Sequence, residues 1–399
     1  MSTHILQAVG IKSQVVNFKA LPPLSLYIHI PWCVRKCPYC DFNSHEARGR
    51  IPEKEYVAAL VRDLEMALPL IWGRKVYTVF FGGGTPSLLS GEAVAEILRQ
   101  VRMLLPLDLN AEITLEANPG TVEADKFALF KEAGVNRLSL GIQSFNDNHL
   151  RALGRIHSAD EAKCAIEIAQ RHFDNINLDL MYALPEQTLE QALLDVETAL
   201  SFKPQHLSCY HLTLEPNTLF AHHPPLLPDD DASSDMQQSI EALLAANGFD
   251  HYETSAFALH GRRSRHNLNY WQFGDYLGIG AGAHSKLSFH DKVLRQARYK
   301  QPQAYMEAVS RGEPLQEDHA VSHNDLAFEF MMNALRLNDG FDRDLFTERT
   351  SLPLLAIRRE LDEAEKRVLL FQDIKKIAPT ESGRRFLNDL LQIFLHDAA

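Results

Sequence analysis

The segment Leu24–Asn43 reads "LSLYIHIPWCVRKCPYCDFN". Leu26, Ile28 and Ile30 alternate along its start, and that period of two predicts a strand. Directly after it, Cys33, Cys37 and Cys40 fall within eight positions of a chain that has only five cysteines in 399 residues. A strand that delivers three thiols onto one loop sets the frame for everything downstream.

Beyond that loop a helix-then-strand pattern recurs. Tyr56, Val57, Leu60, Val61, Leu64 and Leu68 keep helical spacing ahead of "VYTVFF" (Val76–Phe81), and Val94, Ile97, Leu98, Val101 and Leu105 do so ahead of "EITLEA" (Glu112–Ala117). Helical runs near Phe127–Glu132, Ala159–Arg171 and Leu189–Phe202 precede strand-like runs at Asn136–Ile142, Asn175–Leu184 and Gln205–Leu214. Strict alternation predicts an α/β fold with a parallel sheet and crossover helices. Six units fill about 190 residues where a full eightfold barrel takes about 250, so an incomplete six-stranded (β/α)6 TIM-like barrel is expected, active at the C-terminal ends of its strands.

The rhythm changes after Leu214. Residues 215–315 read as an extension of the barrel: an acidic, proline-rich loop, a helix near Ser234–Ala246, a strand-like Phe249–Ala258 and a glycine-rich turn over Tyr276–Ser285. Residues 316–399 read as a small, mainly helical, winged-helix-like domain, and residues 1–23 as a loosely ordered tail.

Composition bounds the function. A net charge of −12 argues against non-specific attraction to nucleic acid or anionic membrane. No apolar run reaches the roughly 20 residues of a membrane span, and the start lacks the pattern of a signal peptide. A cytoplasmic protein without a membrane anchor is expected. Cys164 and Cys209 stand alone and read as small core residues, so the five cysteines are no disulfide framework.

Three clustered thiols pose a choice. A zinc site takes four protein ligands, with His29 or His45 available as the fourth. A [4Fe–4S] cluster held by three thiolates instead leaves one iron open to an exogenous ligand. S-adenosylmethionine can chelate such an iron and accept an electron from the cluster. The Cys-x3-Cys-x2-Cys spacing, with Tyr39 before the last cysteine, resembles the radical S-adenosylmethionine superfamily.

Later segments extend the resemblance. Gly82-Gly83-Gly84-Thr85-Pro86 follows the second strand, where glycine allows close backbone approach to a ligand, and no Gly-Lys-Ser/Thr follows as a phosphate loop would require. Glu116, Gln143 and Asp179 end later strands and Arg155 lies just beyond the fourth. Carboxylates can accept from ribose hydroxyls and arginine can pair with a carboxylate. In order, these segments are similar to the anaerobic coproporphyrinogen III oxidase-like branch of the superfamily. The resemblance implies S-adenosylmethionine positions at Tyr27, Tyr39, Gly83, Gly84, Thr85, Glu116, Gln143, Arg155 and Asp179. It leaves open whether one or two such molecules bind.

That branch holds oxidases and haem chaperones. The oxidases carry a fourth cysteine two positions after the third, where this chain has Phe42, and a longer N-terminal extension than the 26 residues before Tyr27. The chaperones carry an HNxxYW motif associated with haem, matched here by His266, Asn267, Tyr270 and Trp271. His266 is a candidate axial ligand, the two aromatics can pack on a macrocycle, and Arg262, Arg263 and Arg265 can pair with propionates. The resemblance thus implies a haem chaperone with haem as cargo and haem-requiring proteins as partners. Oxidase activity on porphyrinogen is the alternative, and a homodimer stays open.

Overall fold

The computed structural model describes residues 16–119 and 124–395, so residues 1–15 of the expected tail lie outside the described residues. The six expected strands are present: β1 (Leu24–Ile30), β2 (Val76–Gly83), β3 (Leu107–Ala117), β4 (Arg137–Gln143), β5 (Ile176–Tyr182) and β6 (His206–His211). Each pairs in parallel with the next. Helices Glu53–Ala67, Gly91–Leu104, Ala124–Ala133, Ala159–His172 and Leu189–Ser201 cross between them. Capping boxes at Ser158/Glu161 and Thr188/Gln191 start the last two, satisfying N–H groups that a helix terminus leaves orphaned.

The sheet does not end with those six. The run 249–258 folds into a short hairpin, β7 (Asp250–Glu253) and β8 (Ala256–Ala258), which adds to β6. The glycine-rich segment expected as a turn instead supplies β9 (Asp275–Ile279), parallel beside β1, and β10 (His284–Ser288), which returns antiparallel. β11 (Val293–Arg298) and β12 (Leu315–Ala320) complete a twelve-stranded mixed sheet in the order β12-β11-β10-β9-β1-β2-β3-β4-β5-β6-β8-β7. The glycines misled because one of them permits strand contact: a Cβ at Gly278 would lie 2.1 Å from the carbonyl oxygen of His284.

Alternation gives this sheet two unlike faces. Leu26, Ile28, Ile30, Val79, Phe81, Leu115, Leu140 and Leu178 pack in one core with Leu60, Leu64, Val94, Leu98 and Phe130 of the helices. Full burial of each such side chain is worth about 1.5–3 kcal/mol. The opposite face carries Ser25, Tyr27, Thr78, Glu112, Glu116, Ser139, Asn177, Asp179 and His206, and hydrogen bonds hold it. Asn177 Nδ2 donates to Ser139 Oγ and to Asp179 Oδ1, both at 2.8 Å, and Ser208 Oγ donates to Asn177 Oδ1 at 3.1 Å. A polar sheet face is suited to holding a polar ligand.

Beyond β12, helices His323–Ala334, Arg343–Thr350 and Arg358–Lys366 surround a three-stranded sheet formed by Phe341–Asp342, Leu370–Gln372 and Lys376–Pro379. Phe330, Phe346, Leu361 and Ile377 form its core, and Val16 and Phe18 pack into the same core. Cys209 is buried, as expected, but Cys164 is exposed. The buried stripe of its helix runs through Ala162, Ala165, Ile166 and Ala169 and passes position 164 by. No helix among the described residues is long and apolar enough to cross a membrane.

Candidate functional site

The C-terminal end of β1 feeds the cysteine loop, and the end of β2 braces it. Gly84 N–H donates to the Ile30 carbonyl and Thr85 N–H to the Trp32 carbonyl, each at 2.8 Å. A Cβ at Gly84 would stand 2.6 Å from the Trp32 oxygen, which is why the turn needs glycine there. Within the loop, Cys40 N–H donates to Cys37 C=O at 3.2 Å and Ala47 N–H to Cys33 C=O at 2.9 Å. All three thiols are free and partly buried. Burial pushes the Cys33 and Cys40 thiols up, against hydrogen bonds that favour the thiolate: Thr85 and Ser44 to Cys33, the Phe42 backbone and Ser44 to Cys40.

Zinc fits this loop poorly. Thiolates on one tetrahedral zinc, with bonds near 2.3 Å, would stand about 3.8 Å apart. Among the described residues no three His, Cys, Asp or Glu side chains gather around one metal position. The two candidate fourth ligands are also engaged: His29 Nδ1 bonds Tyr27 Oη at 3.1 Å and its Nε2 the Asn43 carbonyl at 2.8 Å, while His45 Nε2 bonds the Lys300 carbonyl at 3.2 Å. Burial holds the His29 ring neutral, down to about 4. Three thiols on one loop, with both neighbouring histidines engaged, suit a polynuclear cluster, in which separate irons take separate thiolates.

The strand-end residues collect beside this loop. Arg155 Nη1 lies 3.6 Å from Cys37 Sγ, and its Nη2 donates to the Gly141 carbonyl at 2.9 Å and to Asn118 Oδ1. Asn118 Nδ2 donates in turn to Thr85 Oγ1 at 3.0 Å. One chain of contacts therefore runs from the cysteine loop through Arg155 and Asn118 to the glycine turn. Tyr39 packs on Phe220, ring centroids 6.5 Å apart, and burial pushes its phenol up with Arg155 opposing. Gln143 sits at a register shift between β4 and β5 with φ +68°, a left-handed conformation that re-aims its side chain.

Glu116 on β3 and Asp179 on β5 share the polar face of the sheet, with β4 between them. Burial, then the Asp179 charge, pushes the Glu116 carboxyl up to about 8, while the Gly83 N–H opposes the rise. Burial also raises Asp179, against hydrogen bonds from Ser139 and Asn177. The phenol of Tyr27 is raised by burial and by Glu116. These residues are partly accessible and can exchange hydrogen bonds with a ligand.

The HNxxYW segment lies at the opposite, N-terminal end of the strands, on helix Arg265–Trp271. His266 is buried, its ring 4.8 Å from that of Phe80, and burial followed by the Arg137 charge lowers it to about 3. Its Nδ1 meets Thr78 Oγ1 at 2.8 Å, and Thr78 donates its own proton to Ser25 Oγ at 2.7 Å. The threonine oxygen thus accepts from Nδ1–H, which leaves the Nε2 lone pair for other use. Glu112 anchors the helix start by accepting from the His266 and Arg265 backbone N–H groups at 3.0 and 3.1 Å. Asn267 N–H is capped by Ser264 Oγ at 3.3 Å. Tyr270 is exposed, while Trp271 lies under the Arg336 guanidinium, 4.5 Å away.

Of the three arginines beside His266, two are already engaged. Arg263 pairs with Asp339 at 2.9 Å, and Arg265 Nη1 donates to the Asn110 carbonyl at 2.5 Å. Sequence reasoning passed over Asn118 and Asn269. The first follows Glu116 by two residues at the same strand end. The second fixes the helix by donating to Ser25 Oγ at 2.8 Å and to the Asp275 carbonyl at 3.0 Å.

A family model described as the radical SAM superfamily matches residues 27–198, and one described as the HemN C-terminal domain matches residues 321–386. The chain is 51% identical to "Heme chaperone HemW" of Escherichia coli (strain K12), over 94% of this chain and 99% of that protein. It is 48% identical to "Heme chaperone HemW" of Haemophilus influenzae, over 94% and 98%. "Radical S-adenosyl methionine domain-containing protein 1, mitochondrial" of Bos taurus is 36% identical over 92% and 86%. Among solved structures, coproporphyrinogen III oxidase (HemN) from Escherichia coli, described as a radical SAM enzyme, superimposes with a TM-score of 0.79 at 25% identity, covering 94% of this chain and 90% of that one.

Proposed function

The chain belongs to the heme chaperone HemW family within the radical SAM superfamily, and from that membership we propose that it binds haem and passes it to haem-requiring proteins. The observation that carries the cofactor half of this reading is the contact chain Cys37–Arg155–Asn118–Thr85, which joins the cysteine loop to the ends of β2, β3 and β4. Cys33, Cys37 and Cys40 would hold a [4Fe–4S] cluster. Such a cluster, when bound, supplies an electron and an open iron site for S-adenosylmethionine.

The chain's own residues supply the placing. Arg155 offers a fork for a carboxylate beside Cys37. Gly83, Gly84 and Thr85 bring backbone close, with Tyr27 and Tyr39 flanking. Glu116 and Asp179 are carboxyl groups for ribose hydroxyls. Gln143, turned by its left-handed backbone, completes the rim. We read the six parallel strands as an open barrel with this rim as its mouth, extended by strands at both edges.

For the cargo, His266 has the tautomer a haem ligand needs: Nδ1–H is held by Thr78 and Nε2 carries the lone pair. His266 is only 9% exposed, so a macrocycle reaches its ring only by displacing its neighbours. Asn267, Tyr270 and Trp271 would act by seating the helix that carries it. A haem titration of the anaerobically reconstituted chain beside His266→Ala, followed by absorption, tests this. Saturable binding that weakens in the variant is expected; equal binding by both removes His266 from the haem site.

Porphyrinogen oxidation is the second reading, favoured by the likeness to HemN. Phe42, 64% exposed on the cysteine loop, stands where the oxidases place a further cysteine, and we propose that it marks a carrier.

A further inference from the structure

Arg137 opens β4 and lies on the polar, interior face of the sheet. Among the described residues three lysines or arginines are almost wholly buried: Lys286, Arg298 and Arg137. Lys286 pairs with Asp275 at 2.9 Å, and Arg298 holds Asp63 at 3.3 Å and donates to Ser285 Oγ at 2.6 Å. Arg137, 2% exposed, has no ion pair and no side-chain hydrogen bond among the described residues, and its Nε is sealed away without a partner.

A second orphan sits beside it. Thr114 is the direct ladder partner of Arg137 on β3, and its Oγ1 is likewise buried with nothing to bond. Buried polar groups without partners are uncommon. The Arg137 charge favours the ionised forms of Glu116 and Asp179, but neither carboxyl makes an ion pair or hydrogen bond with it. The carboxylate on the same stretch of β3, Glu112, is taken up by the backbone of residues 265 and 266. Glu116 stands one pleat above Thr114, toward the strand-end site, and His266 feels the same guanidinium charge from below. The two orphans therefore lie between the proposed cofactor mouth and the His266 ring.

We propose that Arg137 and Thr114 form an anion subsite on the floor of the interior that receives a carboxylate of a bound ligand. The guanidinium fork matches a carboxylate in two parallel N–H···O bonds, and the threonine hydroxyl adds a third donor. This rests on the haem and S-adenosylmethionine reading above, which provides two carboxylate sources: a haem propionate and the amino-acid end of a second S-adenosylmethionine, the first being held at the cluster beside Arg155.

The test uses the full chain, anaerobically reconstituted, as wild type, Arg137→Gln and Thr114→Val. Matched iron content and circular dichroism establish that a variant is folded, and Thr114→Val carries the readout if Arg137→Gln is not. Each protein is titrated with haem, haem dimethyl ester, S-adenosylmethionine and its decarboxylated analogue. Haem affinity at least tenfold weaker in Arg137→Gln (about threefold in Thr114→Val), with the ester unaffected, supports the subsite and assigns it to a propionate. The same loss for S-adenosylmethionine but not its analogue supports it and assigns the amino-acid end. Wild type and variants within twofold for both acids overturn it. If wild type binds neither acid, the functional reading fails on its own, and malonate decides the subsite: a rise in melting temperature in wild type that the variants lose supports it, and no rise overturns it.

Discussion

Gly84 and Ile30 are joined by a 2.8 Å hydrogen bond between the turn that ends β2 and the residue that ends β1. That bond and its neighbour from Thr85 to Trp32 make the glycine turn the support of the cysteine loop. Gly84→Ala puts a methyl group 2.6 Å from the Trp32 oxygen, so the loop must shift. We expect iron bound per chain after anaerobic reconstitution to fall severalfold while far-ultraviolet dichroism is kept. Unchanged iron content would show that the turn does not set the loop.

The cysteines themselves divide three against two. Replacing Cys33, Cys37 or Cys40 with Ala should abolish the charge-transfer absorption of a cluster and its labile sulfide. Replacing the exposed Cys164 or the buried Cys209 should leave both unchanged. Sulfide and iron assays on the five variants check this pattern, and a cluster retained in any of the first three contradicts it.

Stability without ligands should depend on pH through Glu116. Its carboxyl is raised to about 8 in the folded chain from an ordinary value of 4.5, so the folded state holds the proton more tightly than the unfolded one. That contribution is full below about pH 4.5 and is lost as pH climbs through 8. Glu253, raised to about 7 by burial against the Arg336 charge, adds a loss of the same sign over a lower window. Urea denaturation of the ligand-free chain from pH 5 to 9 should show a decline that is shallower in Glu116→Gln. An identical slope in the variant would mean the carboxyl is not held protonated.

Asp63 closes a buried network that ties helix Glu53–Ala67 to the far edge of the sheet. It accepts from Arg298 at 3.3 Å, from Tyr305 Oη at 2.9 Å and from Gly280 N–H at 3.3 Å. Asp63→Ala leaves the Arg298 charge buried and unpaired, which costs about 3–5 kcal/mol. Chemical denaturation should register a loss of that size, and a loss under 1 kcal/mol would count against the network.

How much of this was legible beforehand varied with the kind of signal. The six parallel strands showed because Leu26, Ile28 and their counterparts alternate on a face that packs against helices. β9 was hidden because Gly278 and Gly280 carry the composition of a turn, and only the tertiary neighbour of Gly278 reveals a strand contact. The cysteine spacing announced its loop, yet nothing local announced Asn118, whose role exists only once Thr85 and Arg155 arrive from other strands. His266 showed the converse limit: the motif marked the residue, but its burial against Phe80 and its bond to Thr78 depend on β2, nearly 190 residues away. The orphaned pair Arg137 and Thr114 is a statement about missing partners, which no stretch of sequence contains.

The most direct measurement of the central claim sets carrier against oxidase in one preparation. The reconstituted chain, loaded with haem, is mixed with an apo haem protein, and a second portion receives coproporphyrinogen III, S-adenosylmethionine and a reductant. The account predicts stoichiometric movement of haem to the apo protein and no porphyrinogen consumed. Catalytic formation of protoporphyrinogen, with haem neither bound nor transferred, would contradict it.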